Sequence, residues 1–345
     1  MDWLSERFSN LGGNTSEGLR NSLGRPSLEP LEIMIRESVQ NAWDAKLPDV
    51  NNIFFDIFYN KFTENQLSFL KSIISEAPET LPNAKALNYS SDNSYIILED
   101  RNTEGLTGPV RATEVEKDQP SDYVDFILKS GSKRDKDFGG GTYGFGKSSL
   151  FNMSKCKTIL IDSLTSYKNK LQNRFIGYSL GSSFDAREDE DKICERFTGR
   201  HWWGTRGNYS SEPLAVDPII DDKARNIALD LGLKVRNSEK DKGTSLVILD
   251  PNLDDLDENF SLELIPKLQK KITLRFQEIL LWWAWPKFTL MNNNERPMSC
   301  NISVFDKKEA MPAPERILPL SFLTNALREA RNKRNPIYLS RPKKQ

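Results

Sequence analysis

Four short stretches of this 345-residue chain carry residue types that could do chemistry. Glu37, Asn41 and Asp44 stand at i, i+4 and i+7, so on a helix they project from one side, while Ala42 and Ala45 let that helix lie close to a sheet. The arrangement suits a carboxylate beside a metal ligand. Asp100 follows the apolar run SYIILE and falls at a strand end that opens into the loop RNTEGLTGP. A glycine run then leads through Gly141 and Gly144 to Phe145, Gly146, Lys147 and Ser148, and Gly243 and Thr244 open a last apolar run, TSLVIL. Taken singly, each is commonplace. Polar residues on one helix face are most often solvated, and a strand-terminal Asp is most often a turn former.

The stretch from Gly141 to Ser148, GTYGFGKS, also fits the phosphate-loop pattern G-x-x-x-x-G-K-[ST]. Such a loop must leave a buried strand and enter a helix. A helix start, KSSLF, follows, but SGSKRDKDFGG before it is polar and has no β-forming run. A phosphate-loop NTPase or kinase is therefore the alternative and not the first reading.

The elements that must position these residues are legible in the periodicity. From Leu31 to Lys46, the residues Leu31, Met34, Ile35, Ser38, Ala42 and Ala45 recur at helical spacing, with Glu37, Asn41 and Asp44 on a second stripe beside them. Strands are predicted at 52–62, 94–99, 158–162, 174–179 and 244–249, and helices at 66–74, 123–129, 223–231 and 262–281, an α+β pattern. WPKFTLM and CNISVF, near the end, read as two strands of a smaller unit. The acidic run Asp185 to Asp191 reads as a loop tip, and Trp282, Trp283 and Trp285 as packing between two units. The expected organisation is an amino-terminal arm over 1–29, a main domain over 30–260, and a helix with a small unit over 261–345.

Composition narrows the chemistry. Forty-eight basic against forty-nine acidic residues leave a net charge of −1, so an anionic partner must be met by a local patch. The longest apolar run, Ile279 to Trp285, is too short to cross a bilayer, which needs about 20 residues. The first residues, MDWLSERFSN, do not read as a secretory signal, and a cytoplasmic location is expected. Cys156, Cys194 and Cys300 are odd in number and far apart, as befits reduced thiols, and His201 is the single histidine, which disfavours structural zinc. His201 itself reads as a partly buried or surface imidazole.

Together and in this order, ESVQNAWDA, LEDRNTEGL, GGGTYGFGKSS and KGTSLVIL resemble the four signature boxes of the GHKL ATPases, the class of gyrase, the large heat-shock chaperone, histidine kinases and MutL. The first box matches E-x-x-x-N-x-x-D-A at every specified position. The resemblance covers roughly residues 30 to 250 and implies the Bergerat fold, an α/β sandwich with ATP between helices and sheet under a mobile lid. It implies that Glu37 is the general base orienting water toward the γ-phosphate and that Asn41 holds Mg²⁺. Asp100 would accept a hydrogen bond from the adenine amino group, with Thr244 in support. Gly139 to Gly146, including Gly141 and Gly144, would form the lid within about 130–147, continuing into Phe145, Lys147 and Ser148 near phosphate. Asp44 would brace the helix or reach the nucleotide through water. The second box departs from D-x-G-x-G: Asp100 is followed by Arg101, Asn102, Thr103, Glu104 and only then Gly105. Asn102 tolerates a left-handed backbone, so the turn can survive.

A carboxylate four residues before Asn41, with no phospho-accepting histidine domain ahead of it, resembles the hydrolysing MutL-like or chaperone-like branch. The resemblance then implies a slow Mg²⁺-dependent ATPase acting as an ATP-gated dimerisation switch, with residues 1–29 as a strap and 261–345 as a transducer-like unit. It also implies a homodimer and a setting in DNA repair or phage defence, while the lack of an evident nuclease, transferase or protease site suggests that a protein partner or a further carboxy-terminal region carries the effector activity. The basic tail, 328–344, could meet nucleic-acid phosphates, and no membrane contact is expected. A nucleotide-sensing scaffold without turnover is the remaining alternative.

Overall fold

Several central segments are apolar on both alternating phases, and the computed structural model shows the reason: helices cover the sheet on both faces. It describes residues 1–8, 15, 28–74, 90, 92–129, 145–189, 192–206, 216–253, 256, 265–291 and 293–332. In chain order the described elements are β1 (Asp2–Arg7), α1 (Pro30–Asp44), β2 (Ile53–Lys61), α2 (Glu64–Ile74), β3 (Ser94–Arg101), a π-helical turn Val124–Leu128, α3 (Phe145–Met153), β4 (Thr158–Tyr167) and β5 (Lys170–Leu180). They continue with β6 (Phe184–Asp189), β7 (Lys192–Arg206), the short β8 (Val216–Asp217) and β9 (Ile219–Ile220), α4 (Asp221–Asp230), β10 (Gly243–Leu249), α5 (Ile265–Phe288), β11 (Met298–Ser299), β12 (Asn301–Val304), β13 (Lys307–Ala310) and α6 (Leu320–Asn332).

The sheet runs β1-β7-β5-β4-β10-β3-β2-β12-β13. Along it the pairs are antiparallel except where β12 joins β2 in parallel. One face carries Phe55, Ile96, Leu98, Ile159, Ile161 and Ile176 and packs against α1, α3 and α5. The alternate residues, among them Ile97, Leu160, Phe175 and Val247, face α2 and α4. The strands and helices expected between residues 52 and 249 are present within a few residues, except that the helix near 123–129 is the short π-helical turn. The chain after residue 260 adds α5 against α1 and extends the sheet through β11 and β12 beside β2.

Several expectations are corrected. WPKFTLM is not a strand, because α5 continues through Phe288 with Pro286 inside its last turns. The Thr289 hydroxyl donates to the Trp285 carbonyl at 2.9 Å there, and Arg296 donates to the Phe288 carbonyl, so groups that the helix end frees are still bonded. Residues 185–189 belong to strand β6, which pairs with β7, and residues 190 and 191 of the acidic run lie outside the described residues. The first residues form strand β1, paired with β7 at Trp3↔Trp203 and Leu4↔Trp202. Residues 9–14 and 16–27 of the expected arm lie outside the described residues. His201 is fully buried in β7 opposite Ser5 of β1, its Nδ1 2.8 Å from Ser5 Oγ. Of the tryptophans, Trp283 packs on α1, donating to Glu32 at 2.7 Å, whereas Trp282 is 73% exposed. Arg328 and Arg331 of the basic tail belong to α6, and residues 333–345 lie outside the described residues.

Candidate functional site

Helix α1 is the element that carries the first box to the sheet. Pro30 sits in its first turn, where a missing N–H costs nothing, and Leu47, preceding Pro48, is biased out of the helical region, so the helix ends at Asp44. Met34 and Ile35 have no exposed surface. Burying each such side chain contributes ~1.5–3 kcal/mol, which fixes the rotation of the helix about its axis. That rotation turns Ser38, Asn41, Ala42 and Ala45 toward a cleft against β3 and β10.

The cleft outlines about 530 Å³ of space, part of it open to solvent. Phe55, Leu98 and Leu246 rise from the sheet, and Leu106 and Phe126 close the side, so its walls are largely apolar. Asp100, Thr103, Gly105 and Thr244 complete the lining. Four segments far apart in sequence thus converge: Asn41 and Ala45 of the first box, Asp100 and Gly105 of the second, and Thr244 of the last share one cavity with Phe126.

The polar corner of the cleft is tightly specified. Thr103 Oγ1 donates to Asp100 Oδ1, and the Thr244 backbone N–H donates to the same oxygen at 3.2 Å. No described residue donates to Asp100 Oδ2. Burial pushes the Asp100 carboxyl above the usual aspartate range, opposed by the nearby Arg236 guanidinium and by the two hydrogen bonds. Ser163 Oγ donates to the Gly243 carbonyl at 3.1 Å, lies 3.1 Å from Thr244 Oγ1, and accepts from the Leu106 N–H at 2.9 Å.

The departure in the second box is absorbed by a loop that its neighbours hold at almost every residue. Asn102 takes the left-handed conformation (φ 63°), donating its side-chain amide to the Asn52 carbonyl at 2.8 Å. The Glu104 N–H reaches the Ala45 carbonyl at 2.8 Å, and the Thr103 N–H reaches the Lys242 carbonyl at 3.3 Å, tying the loop to the end of α1 and the start of β10. Arg174, 1% exposed, donates to the Leu106 carbonyl at 2.9 Å and the Gly108 carbonyl at 2.8 Å. Gly105 (φ +67°) is packed so closely that a Cβ would abut the Leu164 carbonyl and lie 2.9 Å from Ser163 Oγ.

On the opposite face of the sheet, Asp56, Glu99, Ser245 and Asp162 stand side by side in register across β2, β3, β10 and β4. Arg101 reaches Asp56 at 3.0 Å and Glu99 at 3.1 Å, and the buried Arg236 donates to Ser245 Oγ at 3.0 Å with its Nε 3.8 Å from Asp162. Desolvation pushes the Asp162 carboxyl up to about 7 despite Arg236. This row lies directly beneath the residues that present Asp100.

Other residues singled out from sequence lie outside the cleft lining. Glu37 is buried and accepts from Arg36 Nη2 at 2.7 Å, with Arg36 stacked 5.0 Å from the centre of the Trp283 ring. Asp44 accepts from Gln40 at 2.7 Å, and Gln40 in turn accepts from Lys287 of α5 at 3.0 Å. Lys147 donates to the Lys129 carbonyl at 2.7 Å and lies over the Tyr178 ring; burial, with Arg200 nearby, lowers its pKa well below the usual lysine value. Ser148 shares the first turn of α3, which Phe145 and Gly146 open, while Gly141, Gly144 and the rest of 130–144 lie outside the described residues. Thr103, Phe126, Ser163, Arg174 and Arg236 were not singled out from sequence. Only Arg174 carried a signal: it is in phase with Ile176 and Tyr178, which marks a buried arginine.

No protein-family model matches the chain, and no curated protein does. Solved structures do. The ATPase region of Saccharomyces cerevisiae topoisomerase II matches at 12% identity over 81% of this chain and 48% of that one, with a TM-score of 0.33. The topoisomerase IV ATP-binding domain of Francisella tularensis matches at 11% identity over 90% of this chain and 57% of that one, TM-score 0.39. The Aquifex aeolicus MutL ATPase domain complexed with ADP matches at 11% identity over 84% of this chain and 68% of that one, TM-score 0.30. The chain spans 48% and 57% of the two topoisomerase chains and 68% of the MutL domain. Among the described residues no helix is long and apolar enough to cross a membrane.

Proposed function

We propose that this chain is a Mg²⁺-dependent ATP-binding and ATP-hydrolysing module that works as an ATP-gated conformational and dimerisation switch in a larger assembly. The observation that carries the reading is the convergence of Asn41, Asp100, Gly105 and Thr244 on one apolar-walled cleft. Its polar corner offers acceptors, as an adenine amino group requires. Asp100 Oδ2 is an acceptor for the exocyclic amino group, and Leu98, Leu106, Phe126 and Leu246 supply apolar walls for the ring.

Asn41 stands on the exposed side of α1 at the cleft mouth, where its side-chain oxygen can hold Mg²⁺. Magnesium commonly takes one or two protein carboxylates with substrate phosphates and water, so with an amide in that place most of its ligands would come from phosphate and water. When bound, the ion supplies charge neutralisation at the phosphate oxygens. Glu37, one turn before Asn41, is the residue assigned to orient water, a positioning role that requires its carboxylate to leave the Arg36 ion pair. That pairing, with Glu37 outside the cleft lining, favours a second reading, nucleotide binding without turnover. A protein partner for the output, contacts of 328–344 with nucleic acid, and a place in DNA repair or phage defence belong to the same proposal and rest on the motif resemblance.

The test is ATP binding, Mg²⁺-dependent hydrolysis and oligomeric state by light scattering in wild type, Glu37→Ala and Asp100→Asn. Binding and dimerisation without turnover in Glu37→Ala, with loss of binding in Asp100→Asn, supports the switch. Equal, negligible turnover in wild type and Glu37→Ala supports the second reading. Normal hydrolysis by Glu37→Ala sinks the assignment of the base and reopens the phosphate-loop alternative.

A further inference from the structure

The second box places Thr103 where the motif it resembles assigns no side chain, yet Thr103 is 1% exposed and bonded directly to the residue expected to read the base. Its hydroxyl proton goes to Asp100 Oδ1, the oxygen that also accepts the Thr244 N–H. The Ser163 proton goes to the Gly243 carbonyl, so Thr244 is left to donate to Ser163. Every hydroxyl proton in this corner is therefore directed inward. What the corner offers a ligand is acceptors: Asp100 Oδ2 and the remaining lone pairs of Thr244. Two donors on Oδ1 also fix the rotation of the carboxylate and favour its ionised form, which cannot donate.

We propose that Thr103 is a specificity-determining residue, which by binding one oxygen of Asp100 leaves the other as a fixed acceptor that selects a purine with an amino group at the six position over one with an oxo group. Without the Thr103 hydroxyl, Asp100 keeps only the Thr244 N–H. The carboxyl is then free to rotate and to carry a proton, and a protonated carboxyl can donate to an oxo group. Discrimination falls because the wrong base gains a partner while the right one loses a fixed acceptor, and a site that leaves a polar group unpaired is what rejects an analogue. This inference rests on the nucleotide reading of the cleft.

ATP and inosine triphosphate are the probes, since they differ at the six position and in the N1 proton that accompanies it. Binding of each is measured by calorimetry to wild type, Thr103→Ala, Thr103→Val and Thr103→Ser, with thermal unfolding recorded for all four. The wild type is expected to prefer ATP by at least about tenfold, which is about 1.4 kcal/mol. Thr103→Ala and the isosteric Thr103→Val are expected to lose most of that ratio, and Thr103→Ser to retain it. A merely structural role would weaken both nucleotides alike and leave the ratio intact in the hydroxyl-less variants, and that result overturns the proposal, as does a wild type without preference. If wild type binds neither nucleotide, the reading of the cleft itself fails, an outcome separate from any effect confined to the variants.

Discussion

Replacing Gly105 with alanine tests the site at its tightest point. The backbone there has φ +67°, a left-handed conformation that costs a residue with a Cβ about 1–2 kcal/mol. The added methyl would also press on the Leu164 carbonyl and lie 2.9 Å from Ser163 Oγ and 3.2 Å from the Leu164 carbonyl carbon. Neither backbone neighbour can yield cheaply, because Leu164 is inside β4 and paired with Gly243 and Asn173. Overpacking of this kind typically costs about 1–3 kcal/mol. The two contributions together give ~2–5 kcal/mol, expressed either as lost stability or as movement of the loop that breaks the Leu106 N–H to Ser163 bond. Urea unfolding and ATP titration of Gly105→Ala measure the two routes. Asn102→Gly is the control: it also sits at positive φ, but glycine relieves the backbone while losing the side-chain bond to Asn52, so a change within about 1 kcal/mol is expected. If Gly105→Ala leaves both stability and nucleotide affinity as in wild type, the loop does not have the conformation on which the polar corner depends.

Burial holds His201 down to about 4 against an ordinary value of 6.5, so its stabilising share is complete above about pH 6.5 and is lost as pH falls toward 4. At pH 5 the loss is about 2 kcal/mol from 1.5 units at 1.36 kcal/mol each, and His201→Phe should flatten that part of the stability profile measured by chemical unfolding; an unchanged slope would contradict it. Asp162 behaves oppositely. With its folded value raised from 3.8 to about 7, the unfolded state releases its proton first, so stability falls as pH rises through that window. Asp162→Asn should therefore gain stability relative to wild type as pH goes from 4 to 8, and a constant difference would refute this. Arg174→Met should leave the Leu106 and Gly108 carbonyls without their donor. An expected cost of about 2–4 kcal/mol and weaker nucleotide binding can be read from melting curves and titration; a neutral result would mean that water replaces the guanidinium.

Much of the fold was legible because its strands are bounded by polar turns and its helices carry long apolar stripes. What escaped were elements defined by partners far away in sequence. β1 is a six-residue strand in a polar terminus, and only its pairing with the tryptophans of β7 makes it one. The middle of β7, CERFTGRHWW, has charged residues and a glycine but no clean alternation, and its strand character depends on contacts such as Arg200 donating to Tyr178 and Leu128 and pairing with Glu6. The end of α5 was misread because a proline is a poor helix residue in isolation, while here it falls near a terminus where substitute donors are at hand.

The site shows the same division between what spacing fixes and what packing decides. On a helix of 3.6 residues per turn, each residue advances by about 100°. Ser38, Asn41, Ala42 and Ala45 span one quadrant, and the cleft lies on it. Glu37 and Asp44 share the stripe of Asn41 but lie about a quarter turn from the centre of that quadrant, on the side where α5 brings Trp283 against Arg36 and Lys287 against Gln40. Spacing alone placed three polar residues together; the docking of α5, from beyond residue 260, separates the two carboxylates from the amide by engaging their neighbours. Asp100 kept its predicted place because a strand end fixes position directly. Its orientation depends on Thr103, Thr244 and Arg236, which meet only when β3 and β10 are in register with Ser245 opposite Glu99. Asp100, which the sequence names, is thus oriented by residues that only the register brings together.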